Sequence, residues 1–284
     1  MSDLTALRSG KTHKDENFPV AGLIAARHRP AVIAFYDFVR TGDDIADNSA
    51  LSAGEKVALL DRMAAELTGD APASTVSAPL KAVLAERGLS PQHALDLLAA
   101  FRLDATKTRY SDWDDLIAYC RLSAMPVGRF VLDVHGESET LWPANDALCA
   151  ALQVINHVQD CQKDFHALDR VYLPEDILAA FDASVPMLDL PQATPQLRAA
   201  LTHMVERTSE LLDESRAFSH GIRDLRLACE VAAIQSLADR LNTGLATRDP
   251  LADTVHASKA SFVMTASLAA LSRLVRHPFL RAAA

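Results

Sequence analysis

The sequence predicts an all-α protein, and three observations lead there. Of its 284 residues 49 are alanine, about one in six, and alanine is the strongest helix former. Only 10 residues are glycine, and β-branched residues are not abundant, so strands are disfavoured. Helical periodicity then dominates the chain from end to end.

The first clear helix spans about 29–48, with Pro30 near its start, where a missing N–H costs little. Helical patterns follow at roughly 53–68 and 78–87. Between them Asp70-Ala-Pro-Ala-Ser-Thr-Val-Ser-Ala-Pro79 reads as a loop. Ser90-Pro91 supplies an N-cap and a first-turn proline for a helix over 91–107. Longer patterns cover 112–135 and 143–166. The stretch Ser184–Pro195 holds Pro186, Pro191 and Pro195 and reads as the longest irregular connection. Helices over 195–219, 223–246 and 257–275 complete the chain. The helices on either side of Ser184–Pro195 are alike in character, and no fixed-period repeat occurs, so one domain over 1–284 is the simpler expectation.

Charge and composition exclude several functions. With 37 acids against 28 bases the net charge is −9, which argues against a general nucleic-acid-binding role. Residues 1–14 are polar and carry no signal-peptide core. No run of about 18 apolar residues is free of charge, so no spanning helix is expected. Cys120, Cys149, Cys161 and Cys229 lie far apart without a CxxC pair, as expected of free thiols in a reducing cytosol. The chain therefore reads as soluble and cytoplasmic. Val263-Met264 and residues 268–274 could touch a membrane surface, although a packed helix explains them as well.

Two acidic clusters carry the functional information. At about 100° per residue, Arg40, Asp43, Asp44 and Asp47 fall at i, i+3, i+4 and i+7 and share one helix face. Gln153, Asn156, His157, Asp160 and Asp164 repeat the pattern at i, i+3, i+4, i+7 and i+11, beside apolar Val154, Ile155 and Val158. A polar stripe on an apolar helix has to face a cavity, a partner or an ion. Like charges one turn apart cost about 4 kcal/mol per close pair at an effective dielectric near 20. Unless fully solvated, such carboxylates take up protons or bind a cation. Oxygen donors without cysteine or paired histidine suit Mg²⁺, or Mn²⁺, rather than Zn²⁺. A di-iron bundle calls for Glu-x-x-His pairs, and no Glu here has a His three residues on.

At these residues the chain resembles the squalene and phytoene synthase family of head-to-head prenyl synthases. The resemblance rests on Asn17-Phe18-Pro19, Arg29-Pro-Ala-Val-Ile-Ala-Phe-Tyr36 and Arg40-Thr-Gly-Asp-Asp-Ile-Ala-Asp47. It continues through Tyr119-Cys-Arg-Leu-Ser-Ala-Met-Pro-Val-Gly128, Asn156-His-Val-Gln-Asp-Cys-Gln-Lys-Asp164 and Asp169-Arg-Val-Tyr-Leu-Pro174. These segments span about residues 17–175. Asn-His-x-Gln-Asp-Cys followed by Leu-Asp-Arg-Val-Tyr-Leu-Pro is most similar to the branch that forms hydroxysqualene in bacterial hopanoid pathways.

The resemblance implies an isoprenoid synthase helical bundle around a central cavity, with the acidic motifs on facing helices. It also implies Mg²⁺-assisted loss of diphosphate from presqualene diphosphate, carbocation rearrangement and capture by water. Carried over residue by residue, Asp43, Asp44 and Asp47 would bind metal from the first helix, and Asn156, Asp160 and Asp164 from the second. Phosphate contacts would fall on Asn17, Arg40, Arg170 and Tyr172. Phe18, Tyr36, Ser123, Ala124 and Gly128 would border the prenyl cavity, with Tyr119 and Gln153 also at the substrate. Arg40 pairing with Asp44 along its own helix is the plain alternative for that residue.

Two departures from the family pattern matter. Gln159 stands where many relatives place a phosphate-binding Arg, which turns attention to His157 and Lys163 as replacements. Leu122 stands where eukaryotic squalene synthases carry a Tyr linked to the cyclopropane-forming half-reaction, which fits an enzyme that receives presqualene diphosphate. No NADPH is expected on this reading. The competing expectations are a synthase that condenses two prenyl diphosphates to presqualene diphosphate, squalene or phytoene, and a catalytically silent binding subunit.

Overall fold

A computed structural model describes residue 4 and residues 24–255, and these are helical, with no strand among them. The helices are α1 (Arg29–Asp47), α2 (Ala53–Thr68), α3 (Ser77–Arg87), α4 (Gln92–Asp104), α5 (Trp113–Ser123) and α6 (Met125–Val134). They continue with α7 (Trp142–Gln159), α8 (Cys161–Leu168), α9 (Glu175–Ala180), α10 (Pro195–Glu214), α11 (Phe218–Gly221) and α12 (Leu225–Thr247). The all-α expectation holds. Asn17, Phe18 and the helix expected over 257–275 lie outside the described residues.

The chain divides into two compact units, residues 1–107 with 122–138 and residues 108–121 with 139–284. The proline-rich stretch 184–195 lies inside the second unit and separates nothing.

In the first unit α1 packs against α2, α3, α4 and α6. Its core joins Phe35, Phe38 and Ile45 of α1 to Leu60 and Met63 of α2, Leu80 of α3, Leu97, Leu98 and Phe101 of α4, and Phe130 of α6. Each such side chain contributes about 1.5–3 kcal/mol on leaving water. Phe35 and Phe130 stack with centroids 3.9 Å apart and planes 10° from parallel. Gly42 lets α1 approach α4 closely: a Cβ there would lie 2.8 Å from Phe101 Cδ2. α2 begins with a capping box between Ser52 and Glu55 and ends at left-handed Gly69.

In the second unit α7, α10 and α12 pack against one another. Polar side chains fix the α10–α12 register. Asn242 Nδ2 donates to Val205 O at 3.1 Å and to Ser209 Oγ at 2.8 Å, and Ser215 Oγ donates to Gln235 Oε1 at 2.7 Å. Thr194 caps α10 ahead of Pro195, and Asp224 caps α12 by accepting from the N–H groups of Arg226 and Leu227.

Three expected helices are broken, the one over 195–219 at residues 215–217 between α10 and α11. The pattern over 112–135 splits at Ala124 (φ −124°, ψ −48°), two residues before Pro126. Proline has no N–H for the carbonyl four residues back and its ring crowds that turn. The pattern over 143–166 splits at Asp160 (φ −102°, ψ 10°), whose N–H still donates to Asn156 O at 2.9 Å. α9 and the 3₁₀ turns Glu139–Leu141 and Val185–Asp189 were not expected from the pattern.

Candidate active site

In the first unit Arg40 forks between two carboxylates of its own helix. Nη1 donates to Asp43 Oδ2 at 2.7 Å and Nη2 to Asp44 Oδ1 at 2.8 Å. The plain pairing of Arg40 with Asp44 is therefore present, and Asp43 joins it. Asp44, expected among the metal ligands, gives Oδ1 to Arg40, and its side chain is only 4% exposed. Asp43 behaves differently: its side chain remains 34% exposed, yet its carboxyl is pushed up to about 7. Burial is the largest cause, followed by the charge of Asp47. Arg40 opposes them, and Asp104 and Asp44 add to the rise.

Asp104 is the residue the sequence reading missed. It is buried at the end of α4, and it sits seven residues after Leu97 and four after Ala100, on the stripe that α4 buries. An acid extending an apolar stripe was the available signal. Tyr36 is half-buried on α1. Ser123 and Ala124 lie at the α5–α6 break and Gly128 in α6. Ser123 Oγ is buried and accepts or donates no hydrogen bond.

In the second unit Gln153 and Asn156 are half-buried along α7, Asp160 occupies the break, and Asp164 lies in the first turn of α8. The expected single helix face is thus carried by two helices. Past α8, Asp169 takes a left-handed conformation (φ 50°), and the chain turns back to run beside residues 108–111. Val171 N–H donates to Thr108 O at 2.9 Å and Glu175 N–H to Tyr110 O at 2.9 Å. Arg109 Nη2 holds Asp169 Oδ1 at 2.6 Å. This fold-back buries Arg170 and Tyr172.

Tyr172 belongs to an aromatic group with Tyr110, Tyr119 and His157. His157 stacks on Tyr172 with centroids 3.6 Å apart and planes 13° from parallel. The Tyr110–Tyr119, Tyr110–Tyr172 and Tyr119–Tyr172 centroids are each 5.4 Å apart. Gln153 Nε2 lies 3.2 Å from His157 Nε2, so the amide donates and the ring nitrogen accepts. Burial pushes His157 down to about 3, leaving a neutral ring. His157 therefore does not supply the positive charge missing at Gln159. Lys163 is 74% exposed, with Nζ 3.8 Å from Asp160 Oδ1. Gln159 itself donates from Nε2 to the Val255 carbonyl.

All four cysteines are free, and burial pushes the thiols of Cys120 and Cys161 up to about 12. No described helix is long and apolar enough to cross a membrane.

The model of the squalene/phytoene synthase family matches residues 11–261 of the chain. The chain belongs to the squalene/phytoene synthase family. It is 52% identical over 280 residues to the hydroxysqualene synthase of Rhodopseudomonas palustris, spanning 98% of this chain and 96% of that one. It is 48% identical over 272 residues to the hydroxysqualene synthase of Zymomonas mobilis, spanning 95% and 92%. Among solved structures it is similar to a squalene synthase from Alicyclobacillus acidocaldarius, at 29% identity and TM-score 0.73, covering 85% of this chain and 91% of that one. Both acidic clusters, the aromatic group and the break at Ala124 fall inside the segment that matches the squalene/phytoene synthases.

Proposed function

We propose that this chain is a hydroxysqualene synthase, a carbon–oxygen lyase that ionises presqualene diphosphate with Mg²⁺ and lets water capture the rearranged cation. The observation that carries the reading is the oxygen-only acid set at Asp43, in a chain about half identical to enzymes of that name. The carboxylates of Asp47, Asp104 and Asp44 act on Asp43 there, with the Arg40 guanidinium against them. Such crowding is what a hard divalent cation relieves, so the donor set fits Mg²⁺. Asp43 and Asp47, helped by Asp104, would hold one such cation in the first unit, and Asn156, Asp160 and Asp164 would hold another in the second. Bound there, Mg²⁺ supplies positive charge against the charge that builds on a departing diphosphate.

The chain's own groups do the rest. Asp44 and Asp43 fix the Arg40 fork in a geometry suited to phosphate oxygens. Arg170 adds a second guanidinium, buried and held by the fold-back at Asp169. Asn17 would add a further phosphate contact and Phe18 a cavity wall. Neutral His157 keeps the base of the aromatic group uncharged, so nothing there repels a carbocation. The aliphatic walls and small residues Ala124 and Gly128 keep unwanted nucleophiles from that cation. The enzyme would work in the cytoplasm, at the surface of the inner membrane from which its oily substrate comes.

The test is product analysis with Mg²⁺ and no NADPH, using presqualene diphosphate in one reaction and farnesyl diphosphate in another. Hydroxysqualene from the first alone is the expected result. Presqualene diphosphate or a longer hydrocarbon from the second would move the chain to the condensing branch. Silence in both would leave a binding subunit.

A further inference from the structure

Arg109, in the segment that the chain folds back against, commits its guanidinium to one turn. Nη1 donates to Asp169 O at 2.5 Å and to Thr108 O at 2.8 Å, and Nη2 donates to Asp169 Oδ1 at 2.6 Å. Thr108 O also accepts from Val171 N–H, so the fork ties the two arms of the fold-back at a carbonyl where they already meet. Asp169 stands at φ 50° and ψ 31°, a left-handed conformation that glycine adopts freely and an aspartate adopts under strain. Glycine would serve a bare turn there; the carboxylate is what Arg109 holds. The same turn reaches the acidic stripe. Asp169 N–H donates to Phe165 O at 3.0 Å and Arg170 N–H to Asp164 O at 3.3 Å. It therefore fixes the backbone of Arg170 against that of Asp164, and two residues further on Tyr172 is seated on His157. The Asp169 side chain is 70% exposed, and an exposed ion pair adds little to stability. What the fork does is hold the turn.

We propose that Arg109 is a positioning residue for the diphosphate end of the site: its fork holds the Asp169 turn, and the turn sets where Arg170 and Tyr172 stand. The inference rests on the reading above, in which Arg170 meets the diphosphate, and adds a residue that acts through it. Without the fork nothing offsets the strain at Asp169, and the turn relaxes toward right-handed or extended backbone. Arg170 follows directly in the chain, so its guanidinium loses its fixed starting point. An arginine takes phosphate oxygens with both arms only when its fork is already in place. A shift of about 1 Å is enough to weaken such a contact strongly. Lysine at position 109, a point charge on a flexible stem, would not reproduce the planar fork.

The test measures binding of inorganic diphosphate with Mg²⁺ to the full chain by calorimetry, and KM and kcat with presqualene diphosphate. R109A and D169A each weaken diphosphate binding and raise KM by about tenfold or more, while the melting temperature moves little. In the double variant R109A/D169G glycine holds the left-handed turn unaided, and diphosphate affinity returns to within about threefold of wild type. Wild-type affinity and KM in a folded R109A overturn the inference. So does a double variant as weak as R109A, because Arg109 would then act otherwise than through the turn. Failure of both single variants to fold overturns it as well, since the fork would then be holding the fold. The proposed function fails separately, as a wild-type chain that binds diphosphate but forms no alcohol, and calorimetry still judges the fork. A wild type that binds no diphosphate overturns both.

Discussion

The two acidic regions share one spacing in the sequence and differ in what the spacing produces. On α1 the helix is continuous from Arg29 to Asp47. Arg40, Asp43 and Asp44 therefore meet, and the region contains its own cation. On α7–α8 the helix stops at Asp160, so Asn156 and Asp164 are carried by different helices, while Asp160 caps α8 and its carbonyl accepts from Asp164 N–H at 2.8 Å. Amides and a stacked, uncharged His157 lie along this stripe, and the exposed Lys163 stands 3.8 Å from Asp160. Equal spacing gives equal faces only while the helix continues, and the charge already present decides which ligand the face takes. On the proposed reading the first region would meet phosphate and metal together, and the second would offer oxygen donors beside an aromatic group.

If both regions serve the same reaction, an oxygen donor lost from either should be felt at the largest scale. Asp160→Asn is expected to lower turnover by about 10³-fold or more while the helical circular dichroism is unchanged. Asp43→Asn should fall by a similar factor. Near-wild-type turnover in either variant would mean that its region is merely an acidic helix face.

Arg40→Ala attacks the fork that holds two carboxylates of the first region. It leaves Asp44 buried without its partner, and breaking a buried pair in this way costs about 3–5 kcal/mol. Lys163→Ala, at an exposed pair 3.8 Å apart, should stay within about 0.5 kcal/mol. Urea denaturation of the two variants checks this. Equal losses would erase the distinction.

Much of this contrast was legible in the sequence. Both acidic clusters, their shared faces and the start of α1 follow from helical spacing and from Pro30. The break at Ala124 carried a signal in Pro126, but the expected helix over 112–135 ran through it. The break at Asp160 was not, since no proline or glycine marks it. Asp104 could not be assigned to Asp43 from spacing, because the meeting of α4 with α1 depends on tertiary packing at Gly42 and Phe101. The role of His157 was hidden for a similar reason. Only the fold-back after Asp169 brings Tyr172 onto its ring and makes it neutral.

A second pair of buried carboxyls carries the comparison into pH dependence. In the first unit burial pushes Glu66 up, but hydrogen bonds from Ser74, Ser77 and Arg62 outweigh it and leave the carboxyl below its usual range. Ser77 Oγ and Arg62 Nε reach it at 2.7 and 2.8 Å. Glu66 therefore adds stability above its unfolded value, and that stability is lost as pH falls through the folded one. Glu230 has the opposite sign. Raised from 4.5 to about 7, it binds its proton more tightly when folded, so stability falls as pH rises between those values, by roughly 3 kcal/mol. Glu230→Gln should remove that loss and be more stable than wild type at pH 8. Urea midpoints at pH 5 and pH 8 measure it, and a midpoint difference as large in the variant as in wild type would contradict the sign.

A further variant isolates how the first region is assembled. Gly42→Ala adds a methyl that would sit 2.8 Å from Phe101 Cδ2 and 3.2 Å from Leu98 Cδ2. Both belong to α4, the helix that ends at Asp104. Relief requires either a ring shift or a small retreat of α4, which should cost about 1–3 kcal/mol as over-packing. Retreat of α4 also draws Asp104 away from Asp43 and thins the acid crowding that suits a divalent cation. The variant should therefore melt lower and need more Mg²⁺ for half-maximal turnover, with the Mg²⁺ requirement restored by Phe101→Leu in the same chain. A lower melting point with an unchanged Mg²⁺ requirement would show that Asp104 is only a neighbour of the metal-binding set. The acid crowding at Asp43 would then be the work of α1 alone.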